Sequence, residues 1–345
     1  MLKSFLELCW ANRLDCRQNV KLADYTTIGV GGPARFFIET KNSDELLKSI
    51  RIASEFGIPF KVLGNGSNVI FSDLGYPGLI IHNSGGKWEI CEDSPQDCSN
   101  KSSLKIGQRS ENYSGFQTVN NAKSVLPVKI RVDSGMRLSL LTNELLRHGI
   151  TGLEWFSGIP ATVGGAVYMN IHGGPFYFGD LVYRAELFTD NKSKIIKRNY
   201  FHFDYDYSIL HETGEIIIWV ELCLERGNTE ESKSFMKKWA RFKRFQPQKS
   251  AGCIFQNLTE QEKKSLNLPT PSAGYFIDKV LNLKGYRIGD AVISLSHAAF
   301  IENLGKATAN DIYRLINYAI QKAKLKTGID LKLEVELLGD FNGKT

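Results

Sequence analysis

The feature that most constrains this chain is a glycine-rich segment at residues 157–170, with the sequence SGIPATVGGAVYMN. Its glycines and small side chains let the backbone come close to another group. The backbone N–H groups of such a turn form a concave donor surface for an anion or for the polar edge of a ring. A second segment, residues 63–71 (LGNGSNVIF), has the same character. Two such loops in one chain predict a large phosphate-bearing ligand.

Composition limits the class of protein. A length of 345 residues predicts two or three domains, and a hydrophobic fraction of 42% is ordinary for a soluble globular protein. The net charge of +6 fits an anionic substrate or cofactor and does not by itself indicate nucleic acid. The basic and aromatic residues 237–244 suit a nucleic-acid face or a solvated helix with a buried aromatic side, and we favour the helix. We expect a monomer with no nucleic-acid or membrane partner.

The cysteines give little sign of a metal site. They form no Cys-x-x-Cys pair, so no structural zinc site is expected, although Cys91 and Cys98 could pair or bind metal. Residues 1–10 carry a Glu within an apolar stretch and indicate an amphipathic helix rather than a signal peptide. No apolar run of about 18 residues predicts a transmembrane helix. We therefore expect a cytoplasmic protein with reduced thiols.

Hydrophobic periodicity predicts an α+β chain in three parts. Residues 1–24 form a helical lead-in, and residues 25–227 form a first module with a polar insertion at about 84–124 that suits a long hairpin. A basic helix follows Gly227, and it opens a small α+β domain over residues 228–345. The last strand is predicted over residues 331–338, which would put Glu334 and Glu336 on the same face.

The order of motifs resembles the MurB family, the flavin-dependent reductases of UDP-N-acetylenolpyruvoylglucosamine in bacterial peptidoglycan synthesis. The resemblance runs from Thr26 to Gly339, with the insertion near 84–124 outside it. The motifs that carry it are TIGVGGPA (27–34), LGNGSNV (63–69), GIPATVGGAVYMN (158–170), SAGCIFQN (250–257), SAG (272–274) with KGYRIG (284–289), and LEVELLG (333–339).

This resemblance implies a fold and cofactors. The chain before Gly227 would form a two-subdomain FAD-binding module of the vanillyl-alcohol-oxidase (PCMH) type, followed by a small α+β substrate-binding domain whose last strand returns to the active site. FAD would be the cofactor and NADPH the hydride donor. The first loop would wrap the FAD pyrophosphate and the second would line the flavin, although Ser67 and Asn68 could be ordinary turn residues. The implied cofactor-binding residues are Gly64, Asn65, Gly66, Ser67, Asn68, Gly158, Ile159, Pro160, Thr162, Gly164, Gly165, Ala166 and Asn170.

The resemblance also implies the residues that act on the substrate. Cys253, where most members have Ser, would give a proton to substrate carbon C2, and a thiol with a reference pKa of about 8.5 suits that role. A packed, inert thiol is the alternative. Glu334 would help to stabilise the enolic intermediate, unless it is a solvent-facing carboxylate. Tyr205, Asn257 and His297 would face the substrate, although a His beside an apolar strand is equally often a core residue.

One motif departs from the family pattern. Tyr-Arg-x-Ser appears as YDYS at residues 205–208, so Asp206 replaces the Arg that would bind the substrate carboxylate. Losing one such donor costs roughly 100- to 1000-fold in rate. Asp206 could instead point away from the site, and its change could be coupled to a second departure at residues 170–180. Another cation could also supply the charge, the candidates being Arg198, Lys249 and Arg287.

The activity implied is NADPH-dependent reduction of UDP-N-acetylglucosamine enolpyruvate to UDP-N-acetylmuramate through FAD. One alternative is a MurB-like flavoprotein with an altered substrate or weak activity, for which Asp206 is the main support. A covalent-flavin oxidase, with His172 as the attachment point, is a further alternative. NADPH oxidation measured with and without the enolpyruvyl substrate separates these hypotheses.

Overall fold

The computed structural model describes residues 2–93, 98, 126–243 and 246–341 of the chain. Local sequence signals set several helix ends: Asn42 and Thr308 each accept a backbone N–H at the start of a helix, and Gly328 ends one at φ 75°. The helices are α1 (Leu2–Ala11), α2 (Ser43–Glu55), α3 (Leu138–Arg147), α4 (Val163–Tyr168), α5 (Leu210–Thr213), α6 (Thr229–Lys243), α7 (Glu260–Ser265), α8 (Ala273–Tyr275) and α9 (Ala309–Thr327).

The strands are mostly short, and the longest, β13, has eleven residues. They are β1 (Cys16–Lys21), β2 (Pro33–Thr40), β3 (Phe60–Leu63), β4 (Val69–Phe71), β5 (Tyr76–Asn83), β6 (Trp88–Asp93), β7 (Leu126–Asp133), β8 (Ile150–Thr151), β9 (His172–Gly173), β10 (Phe176–Tyr177), β11 (Val182–Thr189), β12 (Lys192–Lys197), β13 (Ile216–Arg226), β14 (Arg287–Ile288), β15 (Ala291–Ile293), β16 (Ile301–Asn303) and β17 (Glu336–Leu338).

The chain divides into two compact units, and the first contains residues 1–16, 38–65 and 81–244. Its centre is an antiparallel sheet in the order β12-β11-β13-β7-β6, with β8 also paired to β13. Strand alternation on β13 sends Val220 and Leu222 into the main core and Glu221 to the opposite face. The core-facing side packs with α3, α4 and α6, so the glycine-rich segment that contains α4 is held against a rigid sheet.

The second unit contains residues 17–37, 66–80 and 245–345. Its long helix α9 buries an apolar stripe that includes Ile312, Leu315 and Ile316, each 0% exposed. Strands β14, β15 and β16 form an antiparallel sheet, and β4 pairs in parallel with β17. This parallel pair brings the end of the chain beside the strand that follows the first glycine loop.

The predicted α+β content is confirmed, with one error at the end of the chain. The strand is limited to β17, and Glu334 lies in a bend before it, so the prediction that Glu334 and Glu336 share a strand face is wrong. The reason is a change of partner: the Glu334 N–H donates to the Ile254 carbonyl at 2.9 Å, whereas the Glu336 N–H donates to the Asn68 carbonyl at 3.0 Å. A regular strand cannot make this switch without a bend.

Two further predictions, on the polar insertion and on the thiols, concern residues beside the central sheet of the first unit. Of the predicted insertion at 84–124, residues 84–93 and 98 are described; β6 pairs antiparallel with β7, and the rest lies outside the described residues. Cys98 forms a disulfide with Cys223, with Cα atoms 5.8 Å apart, so the expectation of reduced thiols is wrong for this pair. The sequence could not show it because the two residues are 125 positions apart.

The basic cluster at 237–244 falls largely on α6, where Trp239 is 1% exposed and packs on Trp155 with ring centroids 5.1 Å apart. A buried aromatic side is what the solvated-helix interpretation predicts. Among the described residues, no helix combines the length and apolarity that crossing a membrane requires. The domain boundaries after residues 24 and 227 stay predictions.

Candidate active site

Within the first unit, residues 63–65 of the first glycine-rich loop meet the second loop. A Cβ atom on Gly64 would lie 2.5 Å from Oγ1 of Thr162, closer than side chains tolerate, so only glycine lets the loops approach this closely. The same Thr162 hydroxyl accepts the Gly165 N–H at 3.3 Å and caps α4. Sequence analysis assigned these three residues to cofactor binding, and the structure brings them together.

Several polar groups of these loops are not used by the protein. In the described part of the chain, the backbone N–H groups of Asn65, Gly66 and Ser67 donate to no protein acceptor. Among the described residues, the buried Ser157 hydroxyl has no hydrogen-bond partner, and no atom lies within 4 Å of where a Cβ on Gly158 would be. Successive N–H donors are the groups that bind phosphate, so residues 65–67 fit the pyrophosphate of a dinucleotide such as FAD.

Other residues of the second loop hold the protein itself together. The close approach that Gly164 permits is to Ser134, whose carbonyl accepts the Gly164 N–H at 2.7 Å. Asn170 is 2% exposed at φ 45°, and its side chain donates to the Asp204 carbonyl at 2.7 Å and accepts the Gly179 N–H at 2.8 Å. This asparagine therefore fixes the end of the loop.

The two predicted catalytic residues lie on paired segments of the second unit. Residues 253–256 are held between two other segments: the Ile254 N–H donates to the Ala299 carbonyl at 2.9 Å, and the Ile254 carbonyl accepts the Glu334 N–H at 2.9 Å. The Asn68 side chain donates to the Glu334 carbonyl at 3.0 Å. Cys253 and Glu334 are both half-buried, and the backbone segments that carry them are joined to each other and to the end of the first glycine loop.

Asn257 and His297 flank α8 in the same unit. The Asn257 side chain accepts the Ala273 N–H at 3.0 Å, at the start of that helix. Burial lowers the pKa of His297, which favours the neutral imidazole. Its Nδ1 accepts the Ala299 N–H at 3.4 Å, so the ring hydrogen is on Nε2. His297 can therefore donate a hydrogen bond without carrying charge.

Tyr205 lies in the first unit, next to the residue that departs from the family motif. Asp206 is 6% exposed at φ 48°, and its Oδ1 lies 3.1 Å from Nδ1 of His172. The His172 ring also stacks on Tyr205, with centroids 5.8 Å apart. The two sequence departures, at residues 170–180 and at Asp206, are thus in direct contact, as their hypothesised coupling requires.

Comparison with known proteins settles the family. Residues 246–338 match the model for the C-terminal domain of UDP-N-acetylenolpyruvoylglucosamine reductase, and residues 113–197 match an FAD binding domain. A UDP-N-acetylenolpyruvoylglucosamine reductase of Anoxybacillus flavithermus is 33% identical over 96% of this chain and 97% of its own length. The chain belongs to the UDP-N-acetylenolpyruvoylglucosamine reductase (MurB) family. The predicted resemblance and FAD-binding module are confirmed.

Further relatives of the MurB family agree over the same length. The reductase of Caldanaerobacter subterraneus is 30% identical over 93% of each chain. The crystal structure of the Thermus caldophilus MurB covers 95% of this chain and 99% of its own, with a TM-score of 0.68 and 32% identity. The match to the FAD binding domain begins at residue 113, within the polar segment at about 84–124 that lies outside the motif resemblance.

The candidate replacements for the family arginine are mostly engaged elsewhere. Arg198 donates to the Gly179 carbonyl and to Asp180, both at 2.7 Å. Arg287 pairs with Asp290. The third candidate, Lys249, is exposed. The sequence predicts a role for His172 only as a flavin attachment point. Its position within residues 170–180, the second departure from the family pattern, indicates the contact with Asp206 that the structure shows.

Proposed function

We propose that this chain reduces UDP-N-acetylglucosamine enolpyruvate to UDP-N-acetylmuramate with NADPH, through FAD, in peptidoglycan synthesis. The observation that carries the proposal is the hydrogen bonding that joins the segments of Asn68, Cys253 and Glu334, in a chain that matches MurB reductases over nearly its whole length. Bound FAD supplies the two-electron chemistry between NADPH and the enolpyruvyl group. The protein supplies binding, orientation and protons.

Cys253 is the group we assign to the proton transfer. A cysteine thiol carries a hydrogen that Sγ can give to carbon C2 of the substrate. The hydrogen bond from the Ile254 N–H to the Ala299 carbonyl fixes the backbone next to Cys253, and the half-buried thiol remains reachable. A positioned proton donor of this kind contributes about 100- to 10,000-fold in rate.

Glu334 is assigned to stabilising the enolic form of the substrate. Its backbone is held at both ends, by Ile254 through the N–H and by Asn68 through the carbonyl. Holding the backbone in this way reduces the freedom of the carboxyl group, which is the preorganisation that electrostatic catalysis needs. His297, neutral and donating from Nε2, together with Asn257 and Tyr205, is proposed to bind the substrate.

FAD binding is assigned to the two loops. The N–H groups of residues 65–67 are proposed to bind the pyrophosphate, and the segment containing Ser157 and Gly158 is proposed to line the flavin. We also propose that the chain acts as a monomer in the cytoplasm. The Cys98–Cys223 disulfide argues against that location, because such bonds are rare in reducing compartments.

The test is NADPH oxidation by the FAD-loaded protein with and without the enolpyruvyl substrate. We expect slow oxidation alone and a large increase on adding substrate. An unchanged rate would refute the reductase assignment and favour a flavoprotein with another substrate. The Cys253→Ala variant is the matched control, because it should keep FAD and its reduction by NADPH while losing turnover.

A further inference from the structure

His172 and Asp206 form a polar pair at the end of the glycine-rich segment. Their side chains are 35% and 5% exposed, so the carboxyl group is buried and the imidazole reaches the surface. The second oxygen of Asp206, Oδ2, is also buried and has no hydrogen-bond partner within the described residues. A buried carboxylate is costly unless a cation or a shared proton compensates it. His172 is the group placed to do so.

The contact decides which hydrogen His172 can offer. An ionised Asp206 can only accept, so Nδ1 then carries a hydrogen and Nε2 is the atom left for another partner. If the pair holds one more proton, it is either an imidazolium beside a carboxylate or a neutral imidazole beside a carboxylic acid. Nε2 carries a hydrogen in both of those forms. Asp206 therefore orients His172 with Nε2 facing outward, and Nε2 is a donor when the pair holds that extra proton.

The surroundings hold this arrangement in place. Asp206 adopts φ 48°, a conformation that non-glycine residues keep only where neighbouring contacts enforce it. On one side, the Asn170 side chain binds the Asp204 carbonyl at 2.7 Å. On the other side, the Ser208 hydroxyl donates to the Tyr168 carbonyl at 2.6 Å. The turn that carries Asp206 is thus fixed to the last residue of α4 and to Asn170, two positions after it.

Two cations of the same unit are already paired within the protein. Arg198 binds Asp180, and Lys194 binds Glu215. Nε2 of His172 makes no hydrogen bond to the described residues. We propose that the pair holds one extra proton when substrate is bound, and that His172, oriented by Asp206, donates from Nε2 to an oxyanion of the substrate. The inference rests on the proposed function, and it makes His172 a substrate-binding residue and Asp206 a positioning residue.

The test compares substrate dissociation constants of FAD-loaded variants, read from the change in flavin absorbance without NADPH. His172→Gln should weaken binding of the enolpyruvyl nucleotide by about 10- to 100-fold, the range for a charge-assisted hydrogen bond. Asp206→Asn should also weaken it, and the double variant should bind no worse than His172→Gln. His148→Gln is the control, because His148 is exposed and bonds to Glu144 of its own helix.

Two readouts separate this role from a structural one. The FAD content of His172→Gln should match that of the His148→Gln control, while the KM for the enolpyruvyl nucleotide rises. The same sugar nucleotide without its enolpyruvyl group shows which oxyanion His172 binds. If His172→Gln weakens binding of both nucleotides equally, the oxyanion is a phosphate. If it weakens binding only of the nucleotide with the enolpyruvyl group, the oxyanion is the carboxylate.

An unchanged dissociation constant in His172→Gln would overturn the inference. The inference would also be overturned if Asp206→Asn raised the dissociation constant by the same factor in the His172→Gln background as in the wild type. Either result would leave the proposed function intact if the wild type turns over. Absence of substrate-dependent turnover in the wild type would instead refute the proposed function.

Discussion

Replacing Gly64 with Ala tests whether the two glycine loops depend on each other. The new Cβ would lie 2.5 Å from Oγ1 of Thr162, so one of the two groups must move. If Thr162 rotates away, α4 loses the cap that Gly165 now donates to, which costs about 1 kcal/mol. If the backbone moves instead, overpacking costs about 1–3 kcal/mol. We therefore expect Gly64→Ala to lower the free energy of unfolding by about 1–3 kcal/mol and to reduce FAD content.

The matched control is the double variant Gly64→Ala/Thr162→Ala. Removing Oγ1 leaves Cβ of residue 162 at 3.5 Å from the new methyl group, an ordinary contact, so the clash disappears. The free energy of unfolding, measured by urea titration with circular dichroism, should then fall no further than in Thr162→Ala alone. Losses that simply add in the double variant would show that the loops do not interact as described.

Three further predictions concern single residues. Glu221→Gln should lower the free energy of unfolding by about 2–3 kcal/mol. This is less than the loss expected for a fully buried ion pair, because Arg131 and Arg184 are 37% and 38% exposed. The control Glu89→Gln alters an exposed carboxylate and should lose under about 0.5 kcal/mol in the same urea titration. Burial raises the pKa of Glu221, but the hydrogen bonds from the two arginines lower it by more, so the net shift is downward. The contribution of Glu221 to the free energy of unfolding should therefore be full above about pH 4.5 and lost as the pH falls through the lowered pKa. A Glu221→Gln variant whose stability depends on acid pH as the wild type does would contradict this. Cys253→Ser should keep more turnover than Cys253→Ala, which should lose about 100- to 10,000-fold in kcat at unchanged FAD content; equal rates would exclude a proton-donor role.

Features with local signals were predictable from the sequence. The amphipathic stripe of α9, the basic helix α6 and the glycine loops are each written in consecutive residues, and the structure places them where expected. The order of the short motifs alone predicts the family, because each motif meets a specific backbone or chemical requirement.

Features that depend on distant partners were not predictable in the same way. The bend at Glu334 arises because the chain changes its hydrogen-bond partner from Ile254 to Asn68. The Cys98–Cys223 disulfide joins residues far apart in sequence. The sequence showed that Asp206 and the segment around His172 depart from the family pattern, and only the structure shows that the two side chains are in contact.

The central claim is that the electrons of NADPH reach the enolpyruvyl group of the sugar nucleotide. The most direct measurement is the mass of that nucleotide, taken alongside NADPH consumption without oxygen. We predict that one NADPH disappears for each nucleotide that gains two hydrogen atoms, and that Cys253→Ala slows this gain. NADPH consumption with no change in nucleotide mass would contradict the account.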